Sequence, residues 1–346
     1  MHRTDYIKLA RQGLRMPIGT HLMLHRHADA DAITLDGARL GAVIAETARR
    51  FSTPLAMPLM DLTLEKSALL LACGVPAARI DSWHFAEIPA RPAHIPLTPR
   101  MLATCQAITH VAAQPGLVPM GMGIGPFSLM TKLISDPIMP VYLAGSGVAG
   151  KDDPEVALME GLLVLSEQVI HHYLHAQIDA GARALILCEP AANSVFFSPK
   201  QQDETGYAAF DRFVVRPMQR ITALLRHHDV DLVFHNCGEL TPTMIRRFAT
   251  LGAVMISLGG SRNLWEDAAL IPSDTVLFGN LPSKRFYARE LSADAVAQMA
   301  GKLLARMEGS GHPFILGTEC DVLSVPGCEE EIMSKVDAFM TCPVLA

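Results

Sequence analysis

Residues 231–240 read DLVFHNCGEL, a short apolar run that finishes in a histidine, an asparagine, a cysteine and a glycine. An apolar run bounded by an acidic residue and a glycine reads as a buried strand. Side chains alternate faces along a strand, so residues 235 and 237 point the same way and can both reach one atom beyond the strand end. Whether that imidazole and thiol are chemistry or packing depends on the setting the rest of the chain supplies.

Similar runs recur through the second half: LVPMGMG (117–123), ALILCEP (184–190), AVMISLGG (253–260), TVLFGN (275–280) and PFILGTEC (313–320). Between them, residues 154–180, 206–228, 240–250 and 293–308 carry apolar positions at helical spacing. Continuous apolar strands alternating with helices predict a parallel sheet covered on both faces. Their number favours a closed (β/α)8 TIM-like barrel over an open doubly wound sheet, as a single domain over 1–346. Residues 1–55 and some way beyond read as a helical extension packed on that barrel. The active site of such a barrel lies at the carboxyl ends of the strands, where Glu189, His235, Cys237, Asn280, Glu319 and Cys320 fall.

Composition narrows the partners. The chain has 346 residues, half of them hydrophobic, and a net charge of -6, with no basic stripe of the kind nucleic-acid binding needs. The start, MHRTDYIKLARQGLR, is charged throughout and lacks the apolar core of a signal peptide. The long uncharged stretch 101–130 contains Pro115, Pro119 and Pro126, which excludes an ordinary membrane span there. Seven scattered cysteines, an odd number, predict no disulfide framework and point to a reducing, cytoplasmic setting.

His-x-Cys at a strand end is competent to hold a metal, and a third ligand from another strand end would complete a catalytic zinc set with one open position. Cys320 is the natural candidate, with Cys328 in reserve. A lone His-x-Cys fits core packing as well, since free cysteine is among the most buried residue types. What favours a metal is that two separate strand ends deliver soft ligands to the same rim. The GMGIGPF segment (121–127) lacks the dinucleotide-binding fingerprint and reads as a strand-to-loop turn. Asp61, after an apolar run, reads as a helix cap.

Taken together, GPFSLMTKL (125–133), DAGARALILCEPAA (179–192), FSPKQQDETGYAAFDRFVVRPMQRI (197–221), HNCG (235–238), FGN (278–280) and ILGTEC (315–320) resemble the uroporphyrinogen decarboxylase superfamily, and within it the zinc-dependent corrinoid methyltransferases. The resemblance implies a barrel whose zinc is held by His235, Cys237 and Cys320. It implies methyl transfer between a small-molecule thiol, ether or amine and cobalamin carried on a separate corrinoid protein. It places Asp61 where the decarboxylases keep a substrate-binding aspartate and Tyr173 where they keep a tyrosine. Glu189 stands where the methyltransferases often have aspartate, and all three are expected to line the pocket between zinc and corrinoid.

Two departures bear on that choice. The arginine-rich amino-terminal motif of the decarboxylases has no counterpart in LARQGLRMP, and their carboxyl-terminal histidine is replaced by Glu319 and Cys320. Cofactor-free decarboxylation and a non-catalytic zinc or corrinoid-partner role remain as alternatives. Oligomeric state is left open, a homodimer included.

Overall fold

A computed structural model describes residues 1–345. Eight parallel strands form one curled sheet: β1 (Arg15–Ile18), β2 (Leu55–Ala56), β3 (Val118–Ile124), β4 (Ala184–Cys188), β5 (Asp231–Asn236), β6 (Met255–Leu258), β7 (Val276–Leu281) and β8 (Phe314–Asp321). Their order is β1-β8-β7-β6-β5-β4-β3-β2, so the first and last strands of the chain are hydrogen-bonded neighbours. Helices cover the outside, giving the expected TIM-like architecture. The six apolar runs read from sequence all become strands, each within four residues of its expected bounds.

Each wall strand is apolar on both faces, and its two faces serve two cores. Ala184, Ile186 and Cys188 of β4 and Val233 of β5 join the core inside the barrel. Leu185, Leu187, Leu232 and Phe234 join the core between sheet and helices. Helix ends are set locally. Asp153, Thr241 and Ser292 accept amide hydrogen bonds at the starts of the helices Pro154–Asp179, Pro242–Ala249 and Ala293–Ser310. Gly311 ends the last of these in a left-handed turn at φ 68°.

The amino-terminal segment is more than a helical extension. Helices Arg3–Arg11 and Gly37–Arg50 occur there, but so does strand β1, which pairs with β8. Its four residues, RMPI, are too few to show a period, and Pro17 argues against a ladder position except at an edge or irregularity. The helix Arg3–Arg11 plugs the amino-terminal face of the barrel. The Arg3 guanidinium donates to the Gly252 and Ala253 carbonyls at 2.8 and 2.9 Å, and the Tyr6 hydroxyl donates to Asp231 at 3.0 Å.

Glycines 121, 123 and 125 have a role that the reading of GMGIGPF as a turn did not show. Gly121 and Gly123 admit buried polar side chains against the outer face of β3, and Gly125 admits one just beyond its end. A Cβ at Gly121 would collide with Gln177 and Leu185, one at Gly123 would press on Glu65, and one at Gly125 would collide with Glu189. Gln177, on the helix Pro154–Asp179, uses that access to accept from the Met122 amide and donate to its carbonyl, both at 2.8 Å. Gly121→Ala should therefore destabilise the fold by about 1–3 kcal/mol through overpacking. Urea unfolding checks this, and Gly121→Ala combined with Gln177→Ala should not recover the loss, because the backbone groups of Met122 then lose their partners.

Candidate metal centre

At the carboxyl end of β5, alternation does what the sequence predicted. His235 and Cys237 follow Val233 onto the inner face, while Asn236 points outward. The Asn236 amide donates to the carbonyls of Glu189 at 2.5 Å and Ala192 at 3.0 Å, and its oxygen accepts from the Gly238 amide at 2.8 Å. Asn236 thus clamps the strand end to the loop after β4 and fixes the direction in which its two neighbours project.

Cys320 arrives by a different route. Regular alternation would send it outward with Phe314 and Leu316, which lie in the outer core. The β1–β8 register breaks, however: Met16 pairs with Gly317 and Ile18 with Asp321, so one intervening residue of β1 faces three of β8. That residue is Pro17, which has no amide to donate, and the Ile18 amide turns to the Thr318 hydroxyl at 3.0 Å. The irregularity brings the Cys320 thiol to Cys237. One ligand atom from each of His235, Cys237 and Cys320 lies within 4.8 Å of the other two. Cys328, the reserve candidate, and Cys188 are not part of the group.

The donors suit a thiophilic divalent metal such as zinc. His235 is 2% exposed, its Nδ1 lies 3.0 Å from Ser257 Oγ, and its buried Nε2 has no hydrogen-bond partner. A buried imidazole nitrogen without a partner calls for an occupant, and holding the other nitrogen sets the tautomer a ligand needs. The closeness of the two thiols holds Cys237 well below the usual thiol range, helped by His235, and pushes Cys320 far above it. Lys284, which follows β7, stands beside them. Burial pulls its ammonium down, but negative charge at Cys237, Cys320 and Glu319 outweighs this and the net shift is upward.

The structure does not bring all the expected pocket residues to this cluster. Glu189 is one residue past the inward Cys188 and so faces outward. It is fully buried and accepts from the Phe127 and Ser128 amides at 2.9 and 2.8 Å, anchoring the segment after β3. Burial pushes its carboxyl up to about 7, against the pull of those hydrogen bonds. Tyr173 is 2% exposed and lies in the outer core on the helix Pro154–Asp179, so it lines no part of the mouth. Asp61 is partly exposed. One oxygen accepts from the Thr63 amide at 3.0 Å, just before the helix Leu64–Ala72, and the other pairs with Arg100 at 2.8 Å. That is close to the capping role read from sequence.

Three residues at or near the strand ends escaped the sequence reading: Lys284, Ser257 and Asp321. Ser257 looks like any strand serine until its partner is known. Asp321 is the last residue of β8 and is buried, with neither carboxyl oxygen hydrogen-bonded. Burial pushes it up to about 8. Its position directly after Cys320 was the only available signal.

The uroporphyrinogen decarboxylase (URO-D) family model matches residues 76–337, well over half of the chain. The chain belongs to the uroporphyrinogen decarboxylase family. Among curated relatives, the uroporphyrinogen decarboxylase of Nitrosomonas europaea is 28% identical over 166 residues, which cover 46% of this chain and 42% of that protein. The one from Thioalkalivibrio sulfidiphilus is 31% identical over 196 residues, 51% of either chain. This chain thus spans about half the length of the curated family members it matches. The solved structure of a methyltransferase from Methanosarcina mazei matches with a TM-score of 0.68 over 97% of this chain and 98% of its own, at 16% identity, a likeness of fold. Among the described residues, no helix is long and apolar enough to cross a membrane.

Beside the cluster's outer wall, Glu65 offers a test of the buried polar layer. Burial pushes its carboxyl up to about 8, opposed by amide hydrogen bonds, with Asp61 raising it and Lys132 lowering it. Since the folded carboxyl is harder to ionise than the unfolded one, at about 4.3, its stability contribution is full below that pH and is lost as pH rises through about 8. Unfolding free energy measured at about pH 5 and about pH 8.5 should fall across that interval in the wild type, and fall less in Glu65→Gln. Glu189 and Asp321, shifted the same way, leave a residual slope in the variant.

Proposed function

We propose that the protein is a zinc-dependent methyltransferase that moves a methyl group between a small-molecule thiol, methyl ether or amine and cobalamin on a separate corrinoid protein. The observation that carries this reading is the convergence of His235, Cys237 and Cys320 from two strand ends, with the His235 Nε2 buried and unpartnered. Zinc in that set supplies Lewis acidity, easing deprotonation of a thiol or departure of an ether or amine. The protein's own groups do the rest. Ser257 holds the imidazole tautomer, and Asn236 fixes the angle of the strand end. Lys284 places a positive charge beside the thiols, where it favours an anionic sulfur or oxygen in the site.

Apolar side chains on segments that follow strand ends support a protein partner at this face. Met139 and Tyr142 after β3, Val195 after β4 and Leu323 after β8 are each about half exposed or more. A docked carrier would hold the reacting centre at the mouth, which is where proximity contributes most of the rate. The methyltransferase from Methanosarcina mazei shares the fold, which is in keeping with the reading.

Decarboxylation is the second reading, favoured by the name its curated relatives bear. It sits less well with this mouth. The Arg100 guanidinium is paired with Asp61, and Arg15 lies at the amino end of β1, away from the mouth, with its guanidinium on the carbonyls of Phe339 and Cys342 at 3.1 and 2.6 Å. Neither guanidinium is free at the mouth to receive a polycarboxylate substrate.

Metal analysis of the isolated protein should find about one zinc per chain. Cys237→Ala and Cys320→Ala should lose it, while Cys328→Ala keeps it. A zinc-replete protein should change the cobalt absorption of a methylated or reduced corrinoid protein in the presence of a suitable thiol or methyl donor, and His235→Ala should abolish the change. Turnover of uroporphyrinogen by a zinc-free preparation would instead establish the decarboxylase.

A further inference from the structure

Asp321 has no role in the site as described so far. Its register partner on β1 is Ile18, a member of the core inside the barrel, so Asp321 faces inward as well. It is 5% exposed, and both carboxyl oxygens are buried without a hydrogen-bond partner. The adjacent Val322 amide is committed to the Ile18 carbonyl at 2.8 Å. Among the described residues no lysine, arginine or histidine forms an ion pair with it, although eleven such pairs occur elsewhere.

Nor is it a fourth member of the metal-ligand group, which gathers only His235, Cys237 and Cys320. Cys188, on the inner face of β4, lies within electrostatic reach of both Cys237 and Asp321. The carboxyl therefore shares the barrel mouth with the ligands while binding none of their atoms. A carboxyl buried without partners costs several kcal/mol, and the fold gains nothing visible from it. Glu65 and Glu189, two other deeply buried carboxyls, each hold at least one backbone amide. Asp321 alone of the three is left entirely to something that enters from outside.

We infer that Asp321 is a substrate-positioning residue, accepting a hydrogen bond from an ammonium, N–H or hydroxyl group of the small molecule whose sulfur, oxygen or nitrogen meets the His235, Cys237 and Cys320 centre. The inference rests on the metal-centre reading above and adds a substrate class to it. The favoured molecules carry a cationic or hydroxyl donor near the reacting atom. Those carrying an anionic group at that place offer the carboxyl no donor and would bury a charge there unpaired.

The probe is cobalt(II) bound in place of zinc, whose visible spectrum shifts when a thiol enters its coordination. Four thiols of similar size separate the cases: 2-aminoethanethiol, 2-mercaptoethanol, ethanethiol and 2-mercaptoethanesulfonate. The wild-type protein should bind the aminothiol about tenfold or more tightly than ethanethiol, and the sulfonate most weakly. Asp321→Asn should keep its cobalt and its affinity for ethanethiol while losing the preference for the aminothiol. Metal-free Asp321→Asn and Asp321→Leu should melt at or above the wild type, because no native partner is lost. Lower melting of both variants, or loss of cobalt from both, would make Asp321 a structural residue and overturn the inference. Equal binding of all four thiols, or an unchanged order in Asp321→Asn, overturns it too and leaves the metal-centre reading standing. A cobalt spectrum that no thiol moves overturns the open metal site itself, and this inference with it.

Discussion

Alternation of side chains across the barrel wall is the constraint on which everything at the mouth depends. One residue of displacement along β4 or β5 moves a group from the barrel interior to the layer beneath the helices. Cys188 and His235 face in, while Glu189 and Asn236 face out. The outward pair are connected, since Asn236 donates to the Glu189 carbonyl and the Glu189 carboxyl holds the segment that follows β3. The inward donors owe their direction to that outer bracket, because a strand end free to rotate would not hold an imidazole and a thiol toward one point.

The same alternation explains a polar layer in an otherwise apolar wall. Gln177, Glu65 and Glu189 reach the backbone of β3 and the turn beyond it only because glycines leave room at 121, 123 and 125. Their hydrogen bonds fall on amides near a strand end, where regular pairing leaves groups unmet. Burial makes the two carboxylates harder to ionise, which is the cost of placing charge-bearing groups there.

Much of this was readable in the sequence because apolar strands and amphipathic helices announce themselves by period. The wall from β3 to β8 and the joint direction of His235 and Cys237 follow from that alone. Choosing Cys320 over Cys328 did not, since it depends on an irregularity opposite Pro17, three hundred residues away in sequence. β1 was missed because four residues carry no period. Tyr173 and Glu189 were misplaced because a family likeness supplies a position along the chain, and a neighbouring residue can occupy the opposite face. Lys284, Ser257 and Asp321 carry no motif, and only three-dimensional proximity gives them meaning.

The break in register between β1 and β8 also orders events in the life of the chain. His235 and Cys237 leave the ribosome well before Cys320, and Cys320 is aimed correctly only once β8 has paired with the first strand of the barrel. Before that pairing the set of three is incomplete, and His235 and Cys237 alone would offer an ion only a bidentate grip. Were the three to hold the proposed metal, its firm retention would in this way mark complete folding.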